Sequence, residues 1–176
     1  SKKYVIWIGS ARGPSMSNEM LITSLKKTKV LSDHFGLELI IRLHPTLSKD
    51  NFSEIYGEFI KGDFIFDNNS PLEEVAKMPA IFSLTNSTAD LTIFKYLNPC
   101  VCLGIDKIFY KNDQPSKKVL GELCNEREDI VIEALKNLDN NDRKFNAYKM
   151  KVSNYVNSIC FLNEKFDEQL LNVFQN

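Results

Sequence analysis

The sequence predicts an α/β fold, a doubly wound parallel sheet with helices on both faces and further helices at the C-terminal end. Two observations lead to this fold class. Short apolar runs rich in β-formers alternate along the chain with stretches that carry apolar residues at helical spacing. The links between them are short, which is typical of repeated strand–helix units whose strands are parallel.

The first strand–loop–helix unit lies at the start of the chain. Tyr4–Ile8 is an apolar run of β-formers. A loop over residues 9–14 contains glycine and proline, and residues 18–31 then carry apolar side chains at helical spacing. Gly36 ends this helix, and residues 37–43 form the second predicted strand.

The next segment predicts a helix, a short strand and a second, shorter helix. Residues 50–60 place apolar side chains on one helical face, and residues 64–66 form the third strand. The run Ser70-Pro71-Leu72-Glu73 is a helix-start signature, with an N-cap hydroxyl, proline at the first helical position and glutamate at the third. A short helix through Lys77 is expected after it.

Two more strands complete the alternation. Ala80–Leu84 is the fourth predicted strand, and residues 89–96 form the helix that follows it. Asn98-Pro99 stops this helix, and residues 100–104 form the fifth strand.

The last third of the chain is predicted to be mainly helical. Residues 105–125 are irregular and polar with a short element near their end, and helices cover residues 128–138 and 142–174. The 176 residues are expected to form one domain, 1–176, with its core in residues 4–138 and a C-terminal helical segment in 142–174.

The charge balance and the cysteine pattern exclude several classes of protein. The 22 basic and 23 acidic side chains leave a formal charge of −1, so nothing indicates a protein built to bind nucleic acid or an anionic membrane surface. The four cysteines include no Cys-x-x-Cys pair, which a reduced, cytosolic protein explains most simply. No apolar run approaches the roughly 20 residues that span a bilayer, and the first residues lack the layout of a signal peptide.

Three loops after predicted strands carry polar side chains, at the place where open α/β sheets bind ligands. The first loop contains Gly9, Ser10, Arg12 and Gly13. Its glycines would let the backbone approach a ligand while the guanidinium supplies charge. Its spacing is neither that of a Walker loop nor that of a dinucleotide-binding fingerprint, which disfavours a nucleoside triphosphatase or a dehydrogenase. A surface turn with a solvated Arg12 explains the loop equally well.

The second loop follows a strand that leads directly into His44 and Pro45. By strand alternation Arg42 and His44 share a face, and Pro45 directs the exit of the chain. An arginine and a histidine on one face could hold a pyrophosphate and donate a hydrogen bond or a proton to it. His34, late in the first helix, is more consistent with a surface or helix-capping group. No carboxylate cluster or second histidine lies at ligand spacing from His44, so no metal is expected.

The third loop is the run Thr85-Asn86-Ser87-Thr88, directly before a helix. The free backbone N–H groups and the positive dipole end of a helix favour an anion such as phosphate. The same residue types are preferred as N-caps, and for this run taken alone helix capping is the better explanation.

These segments together carry a resemblance. Arg42-Leu43-His44-Pro45, followed about forty residues later by Thr85-Asn86-Ser87-Thr88 and then by Tyr96-Leu97-Asn98-Pro99-Cys100-Val101, resembles the C-terminal half of GT-B glycosyltransferases. The resemblance is closest to bacterial capsule and surface-polysaccharide enzymes: polysialyltransferases, Kdo-type transferases and CDP-glycerol glycerophosphotransferases. In these families a His-Pro motif and a downstream Ser-Ser/Thr motif of a Rossmann-like domain bind the phosphate of the donor nucleotide. His44 and Pro45 match the first motif, and Ser87 and Thr88 match the second.

The resemblance implies a Rossmann-like fold and sugar transfer from a nucleotide-activated donor, CMP- or CDP-linked, to a saccharide acceptor. It implies that His44 acts on the leaving phosphate and that an N-terminal domain missing from this chain supplies the acceptor site. The nucleotide sugar is then the co-substrate, with no cofactor. A cytoplasmic protein is expected. The resemblance also allows peripheral contact with the inner face of the membrane through the absent part. Glu73 is assigned to its capping box rather than to the site.

Two other functions stay open. A nucleotide-sugar epimerase of the same architecture would need carboxylates in the cleft to move protons. A non-catalytic, flavodoxin-like binding or assembly domain would use His44 and the third loop only as caps.

Overall fold

A computed structural model describes residues 1–11, 16–47, 50, 57, 63–67, 69–85, 87, 89–105 and 119–174, with side chains as far as residue 159. The helix predicted over residues 50–60 lies outside the described residues, apart from positions 50 and 57.

Short apolar strands alternate with helices in this part of the chain. The strands are β1 (Tyr4–Ile8), β2 (Glu38–Arg42), β3 (Ile65–Phe66), β4 (Ala80–Leu84), β5 (Cys100–Leu103) and β6 (Cys124–Asn125). The helices are α1 (Asn18–Phe35), α2 (Leu72–Ala76), α3 (Ala89–Phe94), α4 (Glu128–Asp139) and α5 (Asp142–Phe174), and a 3-10 turn (Gly121–Leu123) precedes β6. The central strands β1 and β4 are buried along almost their whole length, as strands covered on both faces are.

The described strands form one sheet in the order β3-β2-β1-β4-β5-β6, and every strand pair is parallel. From β1 the chain proceeds outward through β2 to β3, and from β4 it proceeds the other way through β5 to β6. Right-handed crossovers then place α1 and α3 on opposite faces of the sheet. This is the strand order of a Rossmann-like fold, so the predicted fold class is confirmed.

The predicted capping box before α2 is wrong. The N-cap of α2 is Pro71, and no side chain caps the helix. The Ser70 amide donates to Asp67 Oδ1 (3.1 Å), and the Glu73 carboxylate accepts a hydrogen bond from the Tyr96 hydroxyl. The start of α2 is therefore held by contacts with neighbouring segments, which a local signature does not reveal.

Gly36 ends α1 as predicted: the helix continues to Phe35, and Gly36 closes it in the left-handed region with a φ of 61°. Two differences concern other elements. Helix α3 ends at Phe94, before a turn in which Leu97 takes a φ of 57°. Residues 124–125, predicted as irregular, pair with β5 as a sixth strand.

A buried polar network joins α1 to the two central strands. The Trp7 indole donates to Ser24 Oγ (3.1 Å), and the Thr28 hydroxyl lies 2.6 Å from Ser83 Oγ. Trp7 and Ser83 are register partners in β1 and β4, so both side chains point to the face that α1 covers. The network fixes α1 over the centre of the sheet.

Helix α5 is tied to the start of β5 through Tyr148. The Tyr148 hydroxyl donates to the Asn98 carbonyl (2.8 Å) and accepts from the Cys100 amide (3.0 Å). Burial raises the pKa of both the Tyr148 hydroxyl and the Cys100 thiol, so both groups stay neutral.

Among the described residues, no helix, α5 included, is long and apolar enough to cross a membrane.

Candidate functional site

The carboxyl ends of β2, β1 and β4 lie side by side and bring the three candidate loops to one edge of the sheet. In the register, Ile8 at the end of β1 pairs with Arg42 on one side and with Leu84 on the other. The connection after β1 leads to β2 on one side, and the connection after β4 leads to β5 on the other side. Such a switch point in the strand order opens a crevice where α/β folds bind ligands.

The first loop leaves β1 through a tight contact. The Gly9 amide donates to the Arg42 carbonyl (2.8 Å), and a Cβ at Gly9 would lie 2.8 Å from the Trp7 ring. Ser10 follows with 6% of its surface exposed, and its hydroxyl has no hydrogen-bond partner in the described part of the chain. A buried hydroxyl in that state costs about 1–3 kcal/mol, so Ser10 is a candidate for a ligand contact. Arg12 and Gly13, predicted for the same site, lie outside the described residues.

Arg42 is the last residue of β2 and is paired with a carboxylate. Its Nη1 lies 3.4 Å from Asp67 Oδ2, and both side chains are more than four-fifths buried. Strand alternation ends at Arg42, and the polar partners of Arg42 and His44 differ: Asp67 for the first, Thr46 for the second. His44 lies two residues beyond the end of β2, so strand alternation does not determine the face of its side chain. The prediction that Arg42 and His44 share a face by alternation is therefore not supported, although both residues lie at the carboxyl edge.

His44 is half-buried and is oriented by the turn that follows it. Its Nδ1 accepts the Thr46 amide hydrogen (3.3 Å) and lies 2.8 Å from the Thr46 hydroxyl. The Leu47 amide donates to the His44 carbonyl (2.8 Å) and closes a turn around Pro45, which is exposed. Because Nδ1 is an acceptor here, the ring proton of the neutral imidazole is assigned to Nε2. His44 thus keeps one N–H donor that the hydrogen bonds of Nδ1 in its own turn do not use.

The third loop begins with a buried link between strands. Thr85 is fully buried, and its hydroxyl donates to the Ile8 carbonyl (2.6 Å). The amide and the hydroxyl of Ser87 both donate to the Asp90 carboxylate (3.2 Å each). Both donors of Ser87 are therefore taken by Asp90, and its contact with a ligand stays a prediction. Asn86 and Thr88 lie outside the described residues.

Sequence reasoning gave no role to three polar residues at this edge, although Thr46 lies within the second candidate loop, residues 42–46. Asp67 directly follows the short strand β3, a position that could have marked it as a site residue. Its partner Arg42 is 25 positions away, so the sequence does not indicate the pairing. Thr46, two residues after His44, is placed where a hydroxyl can bond back to the ring. Asp90 lies three residues after Ser87, a spacing that allows a carboxylate to cap the turn.

No protein-family model matches the chain, and no curated protein matches it. Among solved structures, a co-structure of S. aureus MnaA with UDP aligns with a TM-score of 0.51 at 14% sequence identity. The alignment covers 86% of this chain and 40% of the MnaA chain. The two chains share a fold.

The comparison with MnaA bears on architecture. At 14% identity the likeness concerns the Rossmann-like fold alone, and this chain spans less than half the length of the MnaA chain. A GT-B or capsule-enzyme family is therefore not established by it.

Metal ligation has no support from the described residues. Within them no group of three or more histidine, cysteine, aspartate or glutamate side chains is placed to hold a metal ion. The expectation of a metal-free site stays a prediction.

Proposed function

We propose that this chain is the donor-nucleotide-binding domain of a glycosyltransferase that moves a sugar from a nucleotide-activated donor, CMP- or CDP-linked, to a saccharide acceptor of a surface polysaccharide. One observation carries the proposal. Ser10, with a buried hydroxyl that has no partner among the described residues, lies at the same sheet edge as the His44 ring, which bonds within its own turn through Nδ1 and keeps its Nε2–H as a donor. Two hydrogen-bond donors at the crevice of an α/β sheet suit an anionic group such as a phosphate.

The chemistry of sugar transfer would use these donors in a specific way. As the glycosidic bond of the donor breaks, negative charge develops on the phosphate of the leaving nucleotide. Hydrogen-bond donors that are already in place stabilise that charge without reorganising. His44 would donate its Nε2–H to the phosphate, Ser10 would add a second hydrogen bond, and Arg42 would supply positive charge.

The fold neighbour supports a nucleotide as the ligand. MnaA was solved with UDP, and its alignment covers 86% of this chain. In this proposal the acceptor site and the catalytic base belong to an N-terminal domain, as the resemblance to GT-B enzymes implies.

Titration of the folded chain with CMP, CDP and UDP tests the proposal, with His44→Ala as the variant. Loss of a hydrogen bond to a charged group costs about 1.5–3 kcal/mol, so His44→Ala is expected to weaken nucleotide binding about ten- to hundredfold. The control is His34→Ala, which changes an exposed histidine in the last turn of α1, far from the carboxyl edge, and is expected to bind as the unchanged chain does.

The outcomes separate the rival functions. Binding of none of the three nucleotides by a folded chain would remove the transferase function and favour a binding or assembly domain. Nucleotide binding that is equal in His44→Ala and His34→Ala would keep a nucleotide site but take the phosphate role from His44.

A further inference from the structure

Asp67 lies beside the last residue of β2 because of the sheet register. Ile41 of β2 pairs with Phe66 of β3, so the next residue on each strand, Arg42 and Asp67, are also neighbours. The Asp67 amide donates to the Ile41 carbonyl (3.1 Å), which extends the ladder by one step. Asp67 is thus fixed at the carboxyl edge by its own backbone.

The carboxylate of Asp67 is held from two sides. Oδ1 accepts the Ser70 amide hydrogen (3.1 Å), and Oδ2 lies 3.4 Å from Arg42 Nη1. In the described part of the chain, Asp67 is the polar partner of the Arg42 guanidinium. The guanidinium has five N–H donors, so a contact through one nitrogen leaves others for a second anion.

We propose that Asp67 is a positioning residue that holds the Arg42 guanidinium toward the donor phosphate; this inference rests on the proposed nucleotide site. An arginine side chain has many rotamers, and a fixed carboxylate limits them before the ligand arrives. Asp67 does not touch the nucleotide in this arrangement, and its effect on affinity passes through Arg42.

A double-mutant cycle measures that coupling. Dissociation constants are measured for Asp67→Asn, Arg42→Gln and the double variant, with whichever of CMP, CDP and UDP the unchanged chain binds most tightly. Asparagine keeps an oxygen for the Ser70 amide, so the turn is preserved, and thermal unfolding of each variant checks this. Asp67→Asn is expected to weaken binding about fivefold in the unchanged chain and to have no effect in the Arg42→Gln background. Asp63→Asn, an exposed aspartate just before β3, is the matched control and is expected to bind normally.

Each result decides the inference. If Asp67→Asn binds as tightly as the unchanged chain or more tightly, or weakens binding equally with and without Arg42, Asp67 is not a positioning residue, while the nucleotide site stands. If the unchanged, folded chain binds no nucleotide, the proposed function fails and this inference fails with it. A fivefold loss that disappears in the Arg42→Gln background supports the inference.

Discussion

Two buried serines near the central strand are in different situations. Ser24 Oγ accepts the hydrogen of the Trp7 indole (3.1 Å), whereas Ser10 Oγ has no partner among the residues that the structure describes. Both side chains are removed from water. An unpartnered buried hydroxyl destabilises the folded chain, and a ligand that bonds to it relieves the cost. Ser10 therefore has the properties of a contact residue, and Ser24 those of a structural one.

Ser10→Ala is expected to leave the free energy of unfolding of the ligand-free chain unchanged or raise it by up to about 1 kcal/mol, because an unsatisfied hydroxyl is removed. The same change is expected to weaken nucleotide binding about five- to tenfold. Ser24→Ala is the matched control: it should lose about 1–2 kcal/mol of stability, since the Trp7 N–H loses its acceptor, and keep its affinity. Urea unfolding and calorimetric titration measure both quantities. A destabilised Ser10→Ala with normal affinity would count against the assignment.

At the scale of elements, helix α5 is attached to the sheet by a specific polar contact as well as by apolar packing. The Tyr148 hydroxyl satisfies both the Asn98 carbonyl and the Cys100 amide at the point where β5 begins. Tyr155, about two turns later, packs its ring edge against Phe94 of α3, with 6.0 Å between ring centroids. In the part of α5 whose side chains are described, Tyr148 thus contributes through its hydroxyl and Tyr155 through its ring.

Tyr148→Phe is expected to lower the free energy of unfolding by about 1–3 kcal/mol, because the buried Cys100 amide and the partly buried Asn98 carbonyl each lose a partner. Tyr155→Phe keeps the ring contact and should change stability by less than about 0.5 kcal/mol. Urea denaturation followed by circular dichroism compares the two variants. Equal effects would mean that the polar contact of Tyr148 does not stabilise the attachment of α5.

The whole molecule has one continuous apolar core in its described part, from β1 at the centre of the sheet to Val152 of α5. Trp7, the only tryptophan in the chain, lies within that core with 1% of its surface exposed. Its fluorescence therefore reports on the centre of the sheet.

Trp7 fluorescence and the near-ultraviolet circular dichroism of the tyrosines are expected to change together in a single urea transition. The sheet and the C-terminal helices share one core, so unfolding of either would expose apolar surface of the other. Midpoints that differ beyond experimental error would show that the C-terminal helices unfold separately from the sheet. The control is reversibility of both signals on dilution.

Much of the sheet could be predicted because the signals for it are local. β1 and β4 have the predicted bounds, since each is a short apolar run between residues that break strands. Gly36 ends α1 in the left-handed conformation that glycine adopts readily. β6 was missed because two residues are too few to show a pattern.

The position of the candidate site could be predicted from the sequence, but the contacts within it could not. His44 and Ser10 were found because they follow strands, which is a property of the sequence. The Thr85 contact with Ile8 spans 77 positions, and no pattern within a strand indicates it.

The sequence by itself determined the order of strands and helices, the fold class and the loops in which a site is to be sought, because periodicity and turn chemistry act between neighbours in the chain. Only the tertiary structure decided that Asp67 pairs with Arg42, that Asp90 accepts both donors of Ser87 and that Ser10 has no hydrogen-bond partner within the described residues. Those pairings depend on which strands lie side by side and at what register, and contacts between distant segments set that arrangement.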